Sequence, residues 1–150
     1  MLHSDRLNGI EITLVDCIYR IAARTLHELN RQVIIIDGKR SSEQQAKNYA
    51  QGRTAPGKII TNAPAGSSPH EFACAVDLWI MSEDGKTIDW NNQDFHAILQ
   101  EESAANQHIV WGGTFQHLKD YDHLEYKEWR DVRTGMRKIV CHTIDTQLKP

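Results

Sequence analysis

His70 and Asp77 carry side chains that commonly bind metal ions. They lie seven positions apart in the segment SSPHEFACAVD, residues 67–77. The dipeptide HE is typical of the helical zinc motif HExxH, but the second histidine of that motif would fall at Cys74, so the motif is absent. Zinc ligands lie roughly 3 Å apart, whereas an extended chain would separate these two residues by roughly 23 Å. If both bind one metal, residues 71–75 must turn back on themselves.

A third ligand is available in the segment KDYDHLEY, which contains His123. Three carboxylates lie near this histidine in the sequence: Asp120, Asp122 and Glu125. An acid three residues before a ligand histidine can lie beside the metal without binding it and can take a proton from metal-bound water. The spacing therefore makes Asp120 the candidate general base.

Each candidate also has an interpretation without a metal. His70 lies in a Gly/Ser/Pro loop and could be solvent-exposed, and the segment DYDH could be an acidic surface turn. Asp77 interrupts the apolar run ACAVDLWIM and could face solvent at a strand edge. A buried carboxylate without a partner is costly, so a buried Asp77 would have to be paired or metal-bound.

The composition limits the functional class. The chain has 150 residues, 40% hydrophobic and 25% charged, which suits one soluble domain spanning residues 1–150. A net charge of −3 argues against nucleic-acid binding, and the lack of a run of about 18 apolar residues argues against membrane insertion. The N-terminal residues lack a signal-peptide pattern, so we expect synthesis in the cytoplasm. Three cysteines without a CxxC pair do not indicate a disulfide framework or a cysteine zinc site.

The elements that must position these residues follow from periodicity and turn signals. Predicted helices cover 10–29, 41–52 and 92–106, and predicted strands cover 32–37, 73–81, 108–111 and 123–126. A short strand is expected after the turn in RTAPGKIIT, a hairpin at SEDGK, and a last strand in KIVCHTI. The irregular mixture predicts an α+β domain with a small, mostly antiparallel sheet flanked by helices.

The ordered segments resemble a known family, the LAS-type zinc peptidases. The resemblance depends on an ordered pattern: S-x-H, then D after six further residues, then W-G-G, and then D-x-x-H. The segment GKRSSEQQAKNYAQGRT also matches the family, and SDRLNGI is similar to the family's start. This family includes D-alanyl-D-alanine carboxypeptidases, vancomycin-resistance dipeptidases and phage L-alanyl-D-glutamate endopeptidases. The resemblance covers residues 4–126, leaves the tail 127–150 poorly covered, and implies a Hedgehog/DD-peptidase-like fold.

The resemblance implies one Zn²⁺ per chain, bound by His70, Asp77 and His123. It implies that Asp120 is the catalytic base and that Arg40 lies near the scissile carbonyl. Arg40 would stabilise the oxyanion or, alternatively, clamp a substrate carboxylate.

Further residues match the family pattern with less defined roles. Ser68 and Gln44 are expected to support the site, and Trp111 either forms a wall of the substrate groove or belongs to the core. The chain departs from the family at Ala73, where glycine is usual, and at Asp122, where proline is common. If the turn at Ala73 requires a positive φ, alanine is costly there. We expect Cys74 to point into the core.

The resulting functional hypothesis is a zinc peptidase that cuts a bacterial peptidoglycan stem peptide, most readily at L-Ala–D-Glu, as a phage or prophage endolysin. Such an enzyme would wait in the cytoplasm and act on the cell wall after release. The alternatives are a D-Ala–D-Ala carboxypeptidase and a non-catalytic peptidoglycan-binding module of the same fold. A monomer is the default expectation.

Overall fold

The computed structural model describes residues 1–144, in which a four-stranded sheet packs against helices. The strands are β1 (Val33–Asp37), β2 (Ala75–Ile80), β3 (Ile109–Trp111) and β4 (His123–Tyr126). The helices are α1 (Ile12–Leu29), α2 (Ser42–Ala50), α3 (Gln93–Ala104) and α4 (Trp129–Arg133). Short 3-10 helices lie at Ser4–Leu7, Pro69–Phe72 and Gly112–Thr114. No helix in this part of the chain is long and apolar enough to cross a membrane.

The sheet has the strand order β1-β2-β4-β3, and every neighbouring pair is antiparallel. In the β2–β4 register, Asp77 lies directly opposite His123. A bulge in β1 shifts its register between Ile35 and Asp37, so that Asp37 also pairs with Asp77. The sheet therefore brings three polar residues together across β1, β2 and β4. The predicted α+β class with an antiparallel sheet is confirmed.

The three longer helices begin where the local sequence predicts, because a polar side chain caps each of them. Glu11, Ser41 and Asn92 each accept a hydrogen bond, at 2.9–3.1 Å, from the backbone N–H three residues further on. Such caps satisfy N–H groups that have no partner within the helix. Helix α1 ends at Asn30, whose left-handed conformation (φ 52°) stops the helix.

The core lies between α1, α3 and the sheet. Helix α1 contributes a buried stripe at helical spacing, and β2 is buried along nearly its whole length. The largest fully buried side chains include Trp79, Phe95, Leu14, Ile18 and Leu124. This core forms one contiguous cluster, so the sheet that carries the polar residues rests on a rigid base.

Two predicted strands are wrong. The segment after the turn at Pro56 forms no strand, and Ile59 and Ile60 are more than half exposed, because no other strand is available to pair with them. The segment KIVCHTI forms only an isolated bridge between Cys141 and Glu11, together with backbone hydrogen bonds between residues 9–12 and 140–142. The hairpin expected at SEDGK is present as a turn closed by a single bridge, Met81 to Ile88.

Candidate metal centre

The three residues predicted as ligands, His70, Asp77 and His123, form one cluster. Their candidate donor atoms all lie within 4.8 Å of one another. His70 and His123 are buried, at 4% and 7% exposure, and the Asp77 side chain is 19% exposed at the cleft. Nitrogen and carboxylate donors of this kind suit Zn²⁺, and three protein ligands leave a coordination position free for catalysis. The residues present therefore fit a catalytic zinc ion.

The chain between His70 and Asp77 turns back as a shared metal requires. His70 lies in the 3-10 helix Pro69–Phe72, and Ala73 follows in the left-handed conformation, with φ 59° and ψ 28°. The backbone N–H of Cys74 then donates to Pro69 O at 3.0 Å and closes the turn. The chain enters β2 directly afterwards and places Asp77 beside His70. The Ala73 turn thus adopts the positive φ that glycine would provide.

Neighbouring oxygens select which nitrogen of each imidazole faces the metal position. His70 Nδ1 lies 2.8 Å from Gly38 O, which can only accept, so this nitrogen carries the proton and Nε2 is left for the metal. In His123, Nδ1 faces Asp77 at 2.9 Å, whereas Nε2 lies 3.4 Å from Glu125 Oε2. Each ligand histidine therefore has an outer hydrogen-bond partner, as is usual in zinc sites.

The same contacts determine the charge of the cluster. Burial alone would raise the pKa of Asp77, but the charge of His70 and the hydrogen bonds from His123 and His70 hold it well below its usual value. Burial would lower the pKa of His123, but Asp77 and Glu125 raise it above its usual value. Without a metal, a negative Asp77 stabilises a protonated imidazole; a metal cation would replace that proton.

Asp120 lies at the mouth of the cleft, exposed and close to the ligand cluster. Its backbone is fixed on both sides: Asp120 N donates to Gly112 O at 3.1 Å, and His123 N donates to Asp120 O at 3.3 Å. A Cβ at Gly112 would lie 2.3 Å from the Asp120 carbonyl oxygen, so only glycine permits this approach. The GG turn that follows Trp111 therefore holds the predicted base at the cleft that contains the ligand cluster.

A second carboxylate, Asp122, lies next to Asp120. Burial, a hydrogen bond shared with the Asp120 carboxyl, and the charge of Asp77 raise the pKa of Asp122 to about 7. A bound divalent cation would oppose this increase. Asp122 lines a small depression beside Trp79, whereas Asp120 lines the cleft that contains the ligands.

The cluster opens into a cleft of about 430 Å³. Its floor is polar and contains the ligands and Glu125, while apolar side chains form its rim. Ile59 and Ile60 lie on the rim and are 55% and 56% exposed, and Leu118 is 69% exposed. Such a cleft, with few polar groups converging between apolar walls, is typical of a site for a small or extended ligand.

Arg40 lines this cleft and is held by two side chains. Its Nε donates to Asp37 Oδ2 at 3.0 Å, its Nη2 contacts the same oxygen, and its Nη1 donates to Gln45 Oε1 at 2.7 Å. Nη2 also lies 3.8 Å from Asp77 Oδ2. The guanidinium therefore points at the metal cluster in a fixed orientation.

The supporting role predicted for Gln44 falls instead to its neighbour. Gln44 is exposed, and its side chain donates to Asn48 on the same helix. Gln45 is fully buried, accepts from Arg40, and donates to Ala63 O at 2.7 Å. Helical geometry explains the correction: residues one apart lie about 100° apart around a helix, so only one of the two glutamines can face the site.

The other predicted site residues divide between the cleft and the core. Ser68 is buried, lines the cleft and precedes the helix that carries His70. Trp111 is not a wall of the cleft; it is 4% exposed, and its Nε1 donates to Tyr121 O at 2.8 Å. It therefore supports the loop that carries Asp120 from below. Cys74 is buried, and burial raises its pKa to about 12, so it is a core residue as expected.

Sequence reasoning gave no role to three residues that shape the site: Gly38, Gln45 and Glu125. The role of Glu125 could have been found, because alternation along a strand puts residues 123 and 125 on one face. The role of Gly38 has no signal in the sequence, because it depends on the Gly38 carbonyl oxygen that accepts from His70 Nδ1. Glycine is also needed there because a Cβ would lie 2.3 Å from Arg6 O.

Comparison with known proteins agrees with this geometry. A peptidase M15 family model described as D-alanyl-D-alanine carboxypeptidase matches residues 61–126, which contain the three ligands and Asp120. The chain is 38% identical over 100 residues to the peptidoglycan L-alanyl-D-glutamate endopeptidase CwlK of Bacillus subtilis. That match covers 62% of this chain and 59% of CwlK, so the chain spans less than two thirds of this relative's length.

Solved structures share the fold. The L-Ala D-Glu endopeptidase ChiX of Serratia marcescens superposes with a TM-score of 0.58 at 24% identity, covering 86% of this chain and 88% of ChiX. VanYB, solved in complex with D-alanine-D-alanine, gives a TM-score of 0.53 at 13% identity, covering 91% of this chain and 82% of that one. The expected DD-peptidase-like fold is thereby confirmed.

Proposed function

Because residues 61–126 match a peptidase M15 family model and the chain is 38% identical over 100 residues to a peptidoglycan endopeptidase, we propose that it is a zinc-dependent peptidoglycan peptidase of the LAS type. The bond we propose is L-Ala–D-Glu in the stem peptide. The observation that carries this proposal is the convergence of His70, Asp77 and His123 within 4.8 Å at the floor of a cleft that Asp120 borders. The identity to an L-alanyl-D-glutamate endopeptidase supports the choice of bond.

The chemistry follows from the groups around the cleft. Zinc held by the two imidazoles and Asp77 would supply a Lewis acid that makes water nucleophilic near neutral pH. Asp120, which lines the same cleft, would take the proton of the attacking water and deliver it to the leaving amine. Gly112 and the backbone of His123 hold Asp120 in position for both transfers. Burial of the imidazoles keeps bulk water away from the ligand side of the site.

For Arg40 the geometry favours oxyanion stabilisation over a carboxylate clamp. Nε and Nη2 form the fork that suits a bidentate carboxylate, and both already contact Asp37. The guanidinium keeps one further N–H on each of Nη1 and Nη2, and these can donate to a developing oxyanion beside the metal.

The charge of the cleft favours an endopeptidase over a carboxypeptidase. A carboxypeptidase must bind the terminal carboxylate of its substrate, which calls for a free cation. Among the described residues that line the cleft, Arg40 is the only lysine or arginine, and Asp37 already pairs with it. A substrate that continues past the scissile bond avoids this requirement.

We further propose that the enzyme acts in phage or prophage lysis as a monomer that is made in the cytoplasm and released to the wall. The support for this role is the resemblance of the ordered sequence motifs to the family that includes phage L-alanyl-D-glutamate endopeptidases. Expression in a bacterial host should leave growth intact until the inner membrane is permeabilised, and should then lyse the cells. Lysis that is no faster than with an Asp120→Asn variant would contradict the role, though not the peptidase activity.

The decisive experiment is mass spectrometry of purified peptidoglycan after digestion by the zinc-loaded protein. We expect new N-terminal D-Glu. Released D-Ala would instead identify a carboxypeptidase, and the absence of any product would indicate a binding module.

The Asp120→Asn variant tests the assigned base. We expect it to keep one zinc per chain by elemental analysis and to lose hydrolysis by about 10²–10⁴-fold, since a positioned general base contributes that much. Exposed Asp94, in the first turn of α3, provides the control Asp94→Asn, which should keep full activity. A fully active Asp120→Asn would show that another group removes the proton.

A further inference from the structure

We propose that an aromatic face next to the cleft binds an N-acetylhexosamine unit of the peptidoglycan glycan strand. This aromatic face is formed by Trp79, Trp90, His96, Trp111 and Tyr121. The inference rests on the proposed function, because it assumes that the stem peptide is presented while still attached to its sugar.

Two aromatic side chains project from this face. Trp90 is 55% exposed and Tyr121 is 43% exposed, although each lies against a buried indole, Trp79 for Trp90 and Trp111 for Tyr121. Trp90 lies 5.7 Å from Trp79, centroid to centroid, and Tyr121 stacks on His96 at 4.7 Å with an angle of 7° between the rings. Because the buried rings hold them, the exposed rings form a platform that needs little ordering on binding.

The platform borders two depressions of about 260 and 380 Å³, both lined by Trp90 and Tyr121. The smaller one has Trp79 and the Asp122 carboxyl as its remaining walls. The larger one adds polar side chains, among them Asn91, Gln93 and Gln100. Rings surrounded by amide and carboxyl groups complement a sugar, whose C–H faces pack on π-systems while its hydroxyl and acetamido groups require hydrogen bonds.

One polar atom of the platform lacks a partner. His96 Nε2 is buried, with no hydrogen bond within the described residues, and burial lowers the pKa of this imidazole. A buried nitrogen without a partner costs free energy, which a ligand hydroxyl or acetamido group could recover. By contrast, the indole N–H groups of Trp79 and Trp111 already donate to Asp89 O and Tyr121 O.

The platform adjoins the cleft. Asp120 lines the cleft, and Asp122, two residues further along the same loop, lines the smaller depression. A substrate could therefore cross from one site to the other over a single pair of side chains. In peptidoglycan, L-Ala is the stem residue attached to the sugar, so an L-Ala–D-Glu bond in the cleft places a sugar one residue away. This connectivity selects a saccharide as the occupant.

Binding is tested directly with chitotetraose and with peptide-free glycan strands, by calorimetry on the zinc-loaded full chain. We expect saturable binding that weakens about threefold to tenfold in Trp90→Ala, the range for loss of one aromatic stacking partner. Trp90→Phe should restore part of it. Tyr19→Ala is the matched control, because Tyr19 is 46% exposed on α1 and lines neither the cleft nor the depressions.

A kinetic experiment separates this inference from the proposed function. Trp90→Ala should lower kcat/KM for a disaccharide-linked stem peptide and leave that for the free stem peptide unchanged. If the wild type cleaves neither substrate, the proposed function fails and calorimetry alone decides the inference. Three results would each overturn the inference that the aromatic face binds a sugar. They are the absence of saturable glycan binding, equal effects of Trp90→Ala and Tyr19→Ala on that binding, and self-association in ultracentrifugation that Trp90→Ala abolishes.

Discussion

His123 is the ligand whose charge is most tightly controlled by its surroundings. Asp77 contacts one ring nitrogen and Glu125 contacts the other, and both raise the pKa of the imidazole in the absence of metal. Zinc binds only the neutral ring, so below the raised pKa each zinc ion must displace a proton. The apparent zinc affinity should therefore fall as the pH decreases through the neutral range, which competition with a chelator can measure.

The variant Glu125→Gln tests how Glu125 contributes to this dependence of zinc affinity on pH. At alkaline pH the variant should bind zinc about 10–100-fold more weakly, because the outer carboxylate no longer orients His123. The difference should narrow as the pH falls, since the His123 pKa is lower in the variant and protons compete less. Glu128→Gln is the control, because Glu128 contacts another histidine, His108, at 2.8 Å outside the site. If the ratio of the wild-type zinc affinity to that of Glu125→Gln did not change with pH, Glu125 would not control the protonation of His123.

At the scale of elements, the turn between the helix Pro69–Phe72 and β2 determines whether the ligands meet. Ala73 is 5% exposed and left-handed, a conformation that costs about 1–2 kcal/mol outside glycine. Ala73→Gly relieves this strain but loses a buried methyl worth about 0.8 kcal/mol and gains unfolded-state entropy worth about 0.4–1 kcal/mol. We therefore expect urea unfolding to show a change below about 1 kcal/mol.

Ala73→Val should behave differently, because a β-branched residue is a strong outlier at positive φ. We expect a loss of more than about 2 kcal/mol together with weaker zinc binding, since the turn also positions His70. Ala55→Val, at an exposed position without a positive φ, controls for the added atoms. A valine tolerated at 73 would show that the turn can rearrange.

The elements also show what a sequence can predict. Helices α1, α2 and α3 were predictable because periodicity and caps are local, and the ligands were predictable because donor types and their order are visible. The β1 bulge, which places Asp37 against Arg40, depends on pairing between distant strands and has no local signal. The choice of Gln45 over Gln44 likewise depends on which face of α2 meets the site.

At the scale of the whole molecule, the site lies at one edge of an independent core. The described part of the tail, residues 127–144, packs on the far side of the metal segment: Trp129 stacks on Phe72 at 6.2 Å, and residues 140–142 bond to residues 9–12. None of these tail residues lines the cleft, and 145–150 lie outside the described residues. The tail therefore supports the metal segment rather than covering the cleft.

This separation predicts the effect of metal removal. The buried core does not depend on the ligands, so the metal-free protein should stay folded, unlike a small zinc finger. Zinc at a hundredfold excess over its Kd should add about 2.7 kcal/mol, and for a chain of this length that raises the Tm by about 5–10 °C. Calorimetry with and without a chelator should show this shift in the wild type and in Asp120→Asn, but not in His70→Ala, which lacks a ligand. An unfolded metal-free protein would mean that the core depends on the site, and an equal shift in His70→Ala would place the metal elsewhere.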